Sequence, residues 1–375
     1  MEKIIGTNSL RYPEIRNFAY PENKYVYKEE RDLFSTLLNQ YFRFSKKIHP
    51  VLQYLFLRPW KSNVSFRHFF NTISFNKMPW VVTFETTLPR LGNVPNSVYD
   101  LAINQLVSDN CKKIIALSQC TYDSQAEYVK NNYPQFEKLL TKKMIVLHPP
   151  QRSLINDYGE KQLSDHRIVF TLIGGDFFRK GGREILNVFN TLLPIYPHME
   201  LKIVSSMLFG DYASQTTEED YVKAMRIINK YPENIEHYYN LPNEQVLELF
   251  KNTHIGLLPT WGDTYGYSVL EAQAAGCPTI TTNLRALPEI NNNDVGWIID
   301  VPKLKNGNGQ IETPAERDVF QNVIEKRLKE IIVSVIENPE IVKKKGIAAL
   351  QRIKDEHNIE NHYRVLQKVY TEMLS

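Results

Sequence analysis

Short runs of apolar and β-branched residues alternate along the chain with longer segments in which apolar residues recur three and four positions apart. The short runs predict buried strands at 80–84, 113–117, 144–147, 168–172, 201–204, 255–258 and 278–282. The spaced segments predict helices, among them 185–193, 246–250 and 359–374. Strands that alternate with helices are typical of parallel sheets covered by helices on both faces, so we predict an α/β protein.

The length of 375 residues exceeds that of one ordinary domain and favours two. A polar stretch with two prolines, 148–159, follows a predicted strand and is the best candidate for a joint. We therefore expect a first domain over 1–150, a second over 151–350, and a C-terminal helical segment, 351–375, that crosses back to the first. Both domains are predicted to be Rossmann-like and doubly wound, with the carboxyl ends of their strands facing each other across a ligand-binding cleft.

The composition excludes several classes of protein. Hydrophobic residues make up 42% and charged residues 23%, which argues against disordered, collagen-like and coiled-coil chains. Three cysteines are too few for a disulfide framework or a zinc cluster and favour a reducing compartment. The N-terminus has no basic segment followed by an apolar one, and no run of eighteen apolar residues occurs. We expect a cytoplasmic protein, peripheral on the inner membrane face at most.

Charge is distributed unevenly behind a net value of +3. Residues 1–150 carry 20 Lys and Arg against 12 Asp and Glu, and the segment 33–84 contains no acidic residue at all. Its seven cations are interleaved with Tyr, Phe and Trp, a pattern that attracts anionic lipid headgroups and, equally, nucleic acid. A solvated basic face above core aromatics explains the pattern as well, so the patch alone leaves three readings open.

A glycine-rich turn with two cations follows the strand predicted at 168–172. Residues 171–186 read Thr-Leu-Ile-Gly-Gly-Asp-Phe-Phe-Arg-Lys-Gly-Gly-Arg-Glu-Ile-Leu, so Arg179 and Lys180 stand just before a helix. Glycines let the backbone approach a ligand closely, and the cations would neutralise a phosphate. The spacing fits neither a P-loop nor a dinucleotide fingerprint. Taken singly, the stretch is also compatible with a basic pair on the surface.

A second turn of the same kind follows the strand predicted at 255–258. Its loop holds Asp263 and Gly266, and a helix is predicted over 267–275, stopped by glycine and proline. The amides at the start of such a helix receive anions. Glu271 stands over one turn inside the helix, where a buried carboxylate needs a partner such as a ribose diol. Taken singly, Asp263 is also compatible with a helix cap, and Glu271 with an exposed helix face.

Together these elements resemble the retaining nucleotide-sugar glycosyltransferases of the GT-B fold, family-four type. The resemblance covers most of residues 110–300. It is carried by their order and spacing: Ile-Ile-Ala-Leu-Ser at 114–118, the Gly-Gly-Asp-Phe-Phe-Arg-Lys-Gly-Gly turn, Leu-Leu-Pro at 257–259, an acid-x7-Glu signature at 263–271 followed by Ala-x-Gly-x-Pro, and Leu-Pro-Glu at 287–289. The acid-x7-Glu region is the most specific of them.

The resemblance implies roles for particular residues. It implies catalytic roles for Asp263 at the hydroxyls of the transferred sugar, Lys180 at the diphosphate, and Glu85 near the sugar. Glu271 would hold the ribose hydroxyls, while backbone amides from 266 to 268 would face the sugar and its phosphates. The residues implied in donor binding are Arg179, Gly175, Gly266, Tyr267, Ser268, Glu271, Gly6 and Asn240. Gly6 belongs to a reduced version of the family's N-terminal glycine loop.

Three positions depart from the family's pattern. Asp263 is one methylene shorter than the usual glutamate, Gly175 stands where many relatives have an arginine, and Glu85 replaces a histidine. Arg179 is expected to supply the charge missing at Gly175. No Asp-x-Asp occurs, so neither a metal nor a cofactor is expected, and the cations and the helix end would hold the diphosphate.

The resemblance implies a metal-independent, retaining enzyme that takes a sugar from a UDP- or GDP-linked donor. The acceptor is expected to be a glycan or a lipid-linked glycan in polysaccharide or glycoconjugate assembly, bound by the basic first domain at an anionic membrane surface. Because of the three departures, an alternative function is that of a non-catalytic nucleotide-sugar-binding subunit of a glycosylation complex. A sugar-nucleotide epimerase is disfavoured by the acid-x7-Glu context, and a nucleic-acid binder by the lack of any recognition motif.

Overall fold

The computed structural model describes residues 3–19, 24–164 and 166–374. These residues divide into two compact units, one formed by 1–150 with 357–375 and the other by 151–356. The expected joint thus coincides with the division after Pro150, whereas the second unit extends to Glu356, beyond the expected limit of 350. Among the helices of the described residues, none combines the length and apolar character needed to span a bilayer.

The first unit is built on a parallel sheet with the strand order β2-β1-β4-β6-β7-β8. A short parallel pair, β3 with β5, lies beside it. The strands are β1 (Ile4–Thr7), β2 (Val26–Glu29), β3 (Leu55–Phe56), β4 (Phe66–Phe70), β5 (Ile73–Ser74), β6 (Trp80–Phe84), β7 (Cys111–Ala116) and β8 (Met144–Val146). The helices are α1 (Tyr12–Ile15), α2 (Leu33–Ser45), α3 (Pro50–Tyr54), α4 (Asn96–Val107), α5 (Gln119–Asn132) and α6 (Glu137–Lys143).

The second unit is built on a parallel sheet with the strand order β11-β10-β9-β12-β13-β14. The strands are β9 (Ile168–Ile173), β10 (Met199–Val204), β11 (Ile235–Tyr238), β12 (Ile255–Leu258), β13 (Thr279–Thr282) and β14 (Trp297–Ile299). The helices are α7 (Gly182–Leu192), α8 (Glu218–Lys230), α9 (Asn243–Lys251), α10 (Tyr267–Ala274), α11 (Leu287–Ile290), α12 (Pro314–Glu337) and α13 (Glu340–Glu356). The apolar side chains of β9 and β10 alternate between a core under α7, α8 and α12 and a core under α9 and α10, so helices cover both faces.

The last helix, α14 (Ile359–Leu374), packs on the sheet of the first unit. Its Tyr370 lies among buried residues of β1, β4, β6 and β7. The Tyr370 hydroxyl is 2.5 Å from Nδ1 of the fully buried His68, whose Nε2 lies 2.8 Å from the Thr83 hydroxyl. Burial holds the pKa of His68 well below its ordinary value, so the ring is neutral in this network.

Each predicted strand is present, and so are the four predicted helices, with ends shifted by a few residues. Burial on both faces explains why the apolar run of β12 and the β-branched run of β13 are continuous. The prediction of an α/β protein with Rossmann-like parallel sheets is confirmed.

Candidate donor site in the second unit

The strand order of the second unit defines where a ligand binds. Numbered within this sheet, the order is 3-2-1-4-5-6, and the connections leave β9 and β12 in opposite directions. The loops after two such neighbouring strands separate and leave a crevice at the carboxyl edge, where α/β sheets bind ligands. Lys180 follows β9 and Asp263 follows β12. The two candidate residues therefore flank the switch point of the sheet.

The turn after β9 is shaped to carry the Lys180 side chain. Gly174 has a φ of +145°, and a Cβ built there would lie 2.3 Å from Cδ and Cε of Lys180. Only glycine leaves room for the lysine stem to cross the backbone at this point. The Arg179 carbonyl accepts hydrogen bonds from the Trp261 amide at 2.8 Å and the Thr260 hydroxyl at 2.9 Å, which fix this turn to the loop after β12.

Lys180 and Asp263 form an ion pair across the crevice. Lys180 Nζ lies 2.8 Å from Asp263 Oδ2, and the Tyr265 amide donates to Oδ1 at 3.3 Å. The side chains are only 15% and 12% exposed. Burial alone would raise the pKa of the Asp263 carboxyl, but Lys180, Arg179 and the Tyr265 amide outweigh it and hold the pKa below its usual range. The site therefore contains an ionised carboxylate held against an ammonium group.

Arg179 is held by different partners. Its guanidinium forms an ion pair with Asp176 and donates to the Gly262 carbonyl at 2.5 Å. Asp176 was not among the predicted site residues, although its position three before an arginine is a spacing that allows such a pair. Because Asp176 is paired with it, Arg179 attracts another anion less strongly than the sequence analysis predicted. That Arg179 replaces the arginine missing at Gly175 stays a prediction.

The helix α10 begins directly after this loop. Gly266 is its N-cap, with a φ of +95°, and carries no side chain that would cap the helix. Asp263 does not cap it either, since its recorded amide partner is Tyr265, before the helix. The first amides of α10, at Tyr267 and Ser268, thus stand at the positive end of the helix.

Glu271 lies inside α10 and is 6% exposed. The reading of Glu271 as part of an exposed helix face is therefore wrong. Lys180 and Arg179 are likewise mostly buried, with 15% and 18% of their side chains exposed, so the reading as a surface basic pair is also wrong. The charged groups of Glu271, Lys180 and Arg179 therefore lie mostly inside the protein, where they require partners.

Gly175 and Asn240 occupy exposed positions at the carboxyl edge of the sheet. The Gly175 carbonyl accepts from the hydroxyls of Ser205 and Ser206 at 3.1 and 3.2 Å, which attaches the loop after β10 to the turn after β9. Ser205 and Ser206 were not among the predicted site residues. Asn240 follows β11, two strands away from β9 in the sheet.

The remaining predicted residues, Gly6 and Glu85, belong to the first unit. Gly6 lies within β1 rather than in a loop after it, so the prediction of a loop glycine there is wrong. A Cβ at Gly6 would lie 2.7 Å from Glu30 Oε2, so close packing explains this glycine. Glu85 follows the carboxyl end of β6 and forms an ion pair with Arg90 at 2.9 Å.

One family model matches much of the second unit. Residues 157–327 match the family model described as glycosyl transferases group 1. This range includes every candidate residue from Gly175 to Glu271. No curated protein matches the chain at a significant level.

Solved structures resemble the chain over nearly its whole length. A glycosyltransferase from Rickettsia africae is 14% identical, with a TM-score of 0.59 over 94% of this chain and 86% of its own. HepE from Anabaena, in complex with UDP, is 10% identical, with a TM-score of 0.60 over 99% of this chain and 100% of its own. Sucrose-phosphate synthase from Thermosynechococcus elongatus is 13% identical, with a TM-score of 0.54 over 95% and 82%. The resemblance to glycosyltransferases of the GT-B fold is thus confirmed: residues 157–327 match the glycosyl transferases of group 1, and the chain has the fold of the GT-B glycosyltransferases.

Proposed function

We propose that the protein is a retaining glycosyltransferase that moves a sugar from a UDP- or GDP-linked donor to a glycan or lipid-linked acceptor. The observation that carries this proposal is the Lys180–Asp263 ion pair at the switch point of the second sheet, beside the N-terminus of α10. Support comes from HepE, which has been solved with UDP, with UDP and glucose, and with UDP-glucose. The pathway we propose is polysaccharide or glycoconjugate assembly in the cytoplasm.

The proposed donor contacts follow from charge. The diphosphate lies between the Lys180 ammonium group and the first amides of α10, which together provide fixed positive partners for an anion. Lys180 exchanges its bond to Asp263 for one to a phosphate oxygen, and the Asp263 carboxylate accepts from sugar hydroxyls. Glu271, buried in α10, accepts from both ribose hydroxyls.

The proposed reaction proceeds on one face of the sugar. The bond between the anomeric carbon and the leaving phosphate oxygen breaks, the acceptor oxygen bonds to the same carbon from the same side, and the acceptor proton passes to the departing phosphate. Charge builds on that phosphate, so Lys180 and the helix end stabilise the transition state more than the ground state. We propose that these groups, rather than a metal ion, neutralise the leaving group.

Glu85 is proposed to contact the sugar as a hydrogen-bond acceptor. Its Oε1 is 2.9 Å from Arg90, and the Asn71 side chain donates to the same oxygen at 3.4 Å. A carboxylate paired in this way accepts hydrogen bonds but donates none. Glu85 therefore cannot reproduce proton donation by the histidine that many relatives carry there.

A second candidate is a non-catalytic subunit that binds nucleotide sugars. It is favoured by the way the cations of this site are already matched, Arg179 by Asp176 and Lys180 by Asp263. Such pairing weakens the attraction for a leaving diphosphate. Under this alternative the protein would bind the donor and leave it intact.

The test begins with a thermal-shift panel of UDP, GDP and their sugars. A ligand at a hundred times its dissociation constant adds about 2.7 kcal/mol of stability, enough to rank the donors. The stabilising donor is then incubated with the protein, and free nucleoside diphosphate is measured. A transferase releases it slowly even without acceptor, whereas a binding subunit does not. Stabilisation by none of these nucleotides would refute both candidates. Once an acceptor is found, the anomeric configuration of the product tests retention.

A further inference from the structure

The helix α2 carries an apolar stripe on its solvent side. Leu33, Leu37, Tyr41 and Phe44 follow one another at intervals of four, four and three residues, which places them on one face of a helix. All four are exposed, and Phe44 is 90% exposed. Ile48, just beyond the end of the helix, is 59% exposed. Exposed apolar residues grouped in this way mark an interaction surface.

The stripe is not the face by which α2 attaches to its own unit. Phe34 packs against the core of the first unit, with its ring 6.5 Å from that of Phe75, and Leu38, one turn on, is half-buried. The helix start is fixed by Asp32, which accepts from the amides of Phe34 and Leu57. The helix is therefore attached through Asp32 and Phe34 and presents a second apolar face outward.

Positive charge surrounds the end of this stripe. Arg43, Lys46 and Lys47 are all exposed, and the segment 33–84 contains no Asp or Glu. A helix that combines an apolar face with neighbouring cations is typical of segments that lie in the interface of an anionic membrane.

The structure also shows which residues of the basic, aromatic segment 33–84 are buried and which are exposed. Phe56, Phe66 and Phe69 are fully buried core residues, so they offer no surface. Arg67 is buried in an ion pair with Glu30 at 2.7 Å, and Arg58 is paired with the same carboxylate at 3.3 Å. Core packing thus explains much of the pattern in 33–84. Trp60, Lys61 and Lys77 are exposed elsewhere in this segment, whereas the grouped apolar residues lie on α2 and just after it.

We propose that α2 and the following residues to Ile48 dock the protein on an anionic lipid bilayer. Leu37, Tyr41, Phe44 and Ile48 enter the boundary between headgroups and acyl chains, while Arg43, Lys46 and Lys47 contact lipid phosphates. The absence of Asp and Glu from 33–84 favours an anionic lipid surface over a protein partner, because a protein surface of mixed charge also carries cations that Arg43, Lys46 and Lys47 would repel. This proposal is independent of the donor site, since it concerns the other unit.

The test is co-sedimentation of the full chain with vesicles. One set contains equal parts phosphatidylcholine and phosphatidylglycerol, and the other phosphatidylcholine alone. We expect binding to the anionic set that weakens with added salt. Lys46→Gln with Lys47→Gln should reduce it about 25-fold, at about fivefold per cation. Phe44→Ser should reduce it at least about tenfold, through lost apolar burial.

Matched variants keep the test specific. Leu101→Ser changes another strongly exposed apolar residue of the first unit, and Lys112→Gln with Lys138→Gln removes two exposed cations from it. These controls should bind as the wild type does. All the substitutions are on the surface, so folding is checked by unchanged thermal unfolding.

Three results would overturn the proposal: no binding to anionic vesicles, equal loss in the control variants, or concentration-dependent self-association that α2 variants abolish without any vesicle binding. The last result would assign the stripe to a second copy of the chain. Donor release measured without vesicles is unaffected in every case, so failure here is distinct from failure of the transferase assignment.

Discussion

Replacing Lys180 by methionine removes one charge from the proposed donor site and little else. The lysine stem crosses Gly174 so closely that a Cβ there would lie 2.3 Å from its outer carbons. Methionine keeps an unbranched stem of similar length, whereas alanine would leave a gap. The variant therefore isolates the ammonium group that bonds to Asp263 at 2.8 Å.

The expected loss of stability follows from the burial of the pair. With side chains 15% and 12% exposed, the pair is close to buried, and removal of one partner leaves the Asp263 carboxylate uncompensated. Breaking a buried pair in this way costs about 3–5 kcal/mol. Adding Asp263→Asn to Lys180→Met removes the uncompensated charge, so the double variant should regain most of that stability.

Activity should respond differently. Lys180→Met removes a positive group that opposes the charge developing on the leaving phosphate, which costs about 2.7–4 kcal/mol, or roughly a hundred- to thousandfold in transfer rate. The double variant restores the charge balance of the folded protein but not the missing cation. It should therefore be stable and still inactive.

Stability is measured by amide hydrogen exchange in β9 and β12, since two units need not unfold together. Activity is measured as release of nucleoside diphosphate from the donor that the thermal-shift panel selects. The matched control is Lys202→Met: Lys202 lies within β10 and is paired with Glu200 at 3.1 Å, with side chains 18% and 11% exposed. Because Arg167 also bonds to Glu200, the control should lose less stability and keep wild-type turnover.

Near-normal turnover in Lys180→Met would refute the reasoning. So would a double variant that regains activity together with stability, because the role of Lys180 would then be only to neutralise Asp263. A loss of turnover in Lys202→Met equal to that in Lys180→Met would show that the assay reports stability instead of chemistry.

Three further predictions concern Gly174, Glu271 and His362. Gly174→Ala should displace the Lys180 side chain and lower donor turnover at least about tenfold. The positive φ at this position should also reduce the free energy of unfolding by about 1–2 kcal/mol. Donor turnover measures the first effect, and hydrogen exchange measures the second. Glu271→Gln should raise the KM for the donor by about ten- to a hundredfold and lower kcat by less, because a charged acceptor for the ribose hydroxyls is lost. Burial lowers the pKa of His362 to about 3, so the unfolded chain takes up more protons as the pH falls below about 6.5, and the first unit should lose stability progressively, by about 4 kcal/mol at pH 3 from this group. Unfolding at a series of pH values tests this, and His362→Gln should flatten the dependence.

The fold was predictable where strands are buried on both faces. β12 is a continuous apolar run and β13 a run of β-branched residues, and both were predicted from these runs alone. β4 was missed because Arg67 and His68 interrupt its run, yet both are buried: Arg67 pairs with Glu30, and His68 bonds to Tyr370 and Thr83. Those partners lie far away in the sequence, so no local pattern reveals them.

Two edge strands, β2 and β11, were missed for another reason. β2, at one edge of the first sheet, has the sequence Val-Tyr-Lys-Glu and is largely exposed, so it has no apolar run to detect. β11 occupies an edge of the second sheet and is only partly buried for the same reason. Apolar runs report burial, and edge strands have less of it.

The two turns that carry the candidate residues were predictable from the sequence, but their geometry was not. The spacing of glycines, cations and acids indicated the turns after β9 and β12, and both exist. The direct bond between Lys180 and Asp263, and the pairing of Arg179 with Asp176, depend on strand order and side-chain direction, which the sequence does not specify locally. Gly6 was misassigned because a glycine needed for close packing in a strand looks the same in sequence as a glycine needed for a loop.

The central claim is that a nucleoside diphosphate sugar binds at the carboxyl edge of the second sheet, between Lys180 and the start of α10. A crystal structure of the protein soaked with the nucleotide that stabilises it most tests this directly. The account predicts diphosphate oxygens within hydrogen-bonding distance of Lys180 Nζ and of the first amides of α10, with the ribose hydroxyls on Glu271. A nucleotide bound elsewhere, with Lys180 still on Asp263 and Glu271 away from the ribose, would contradict it.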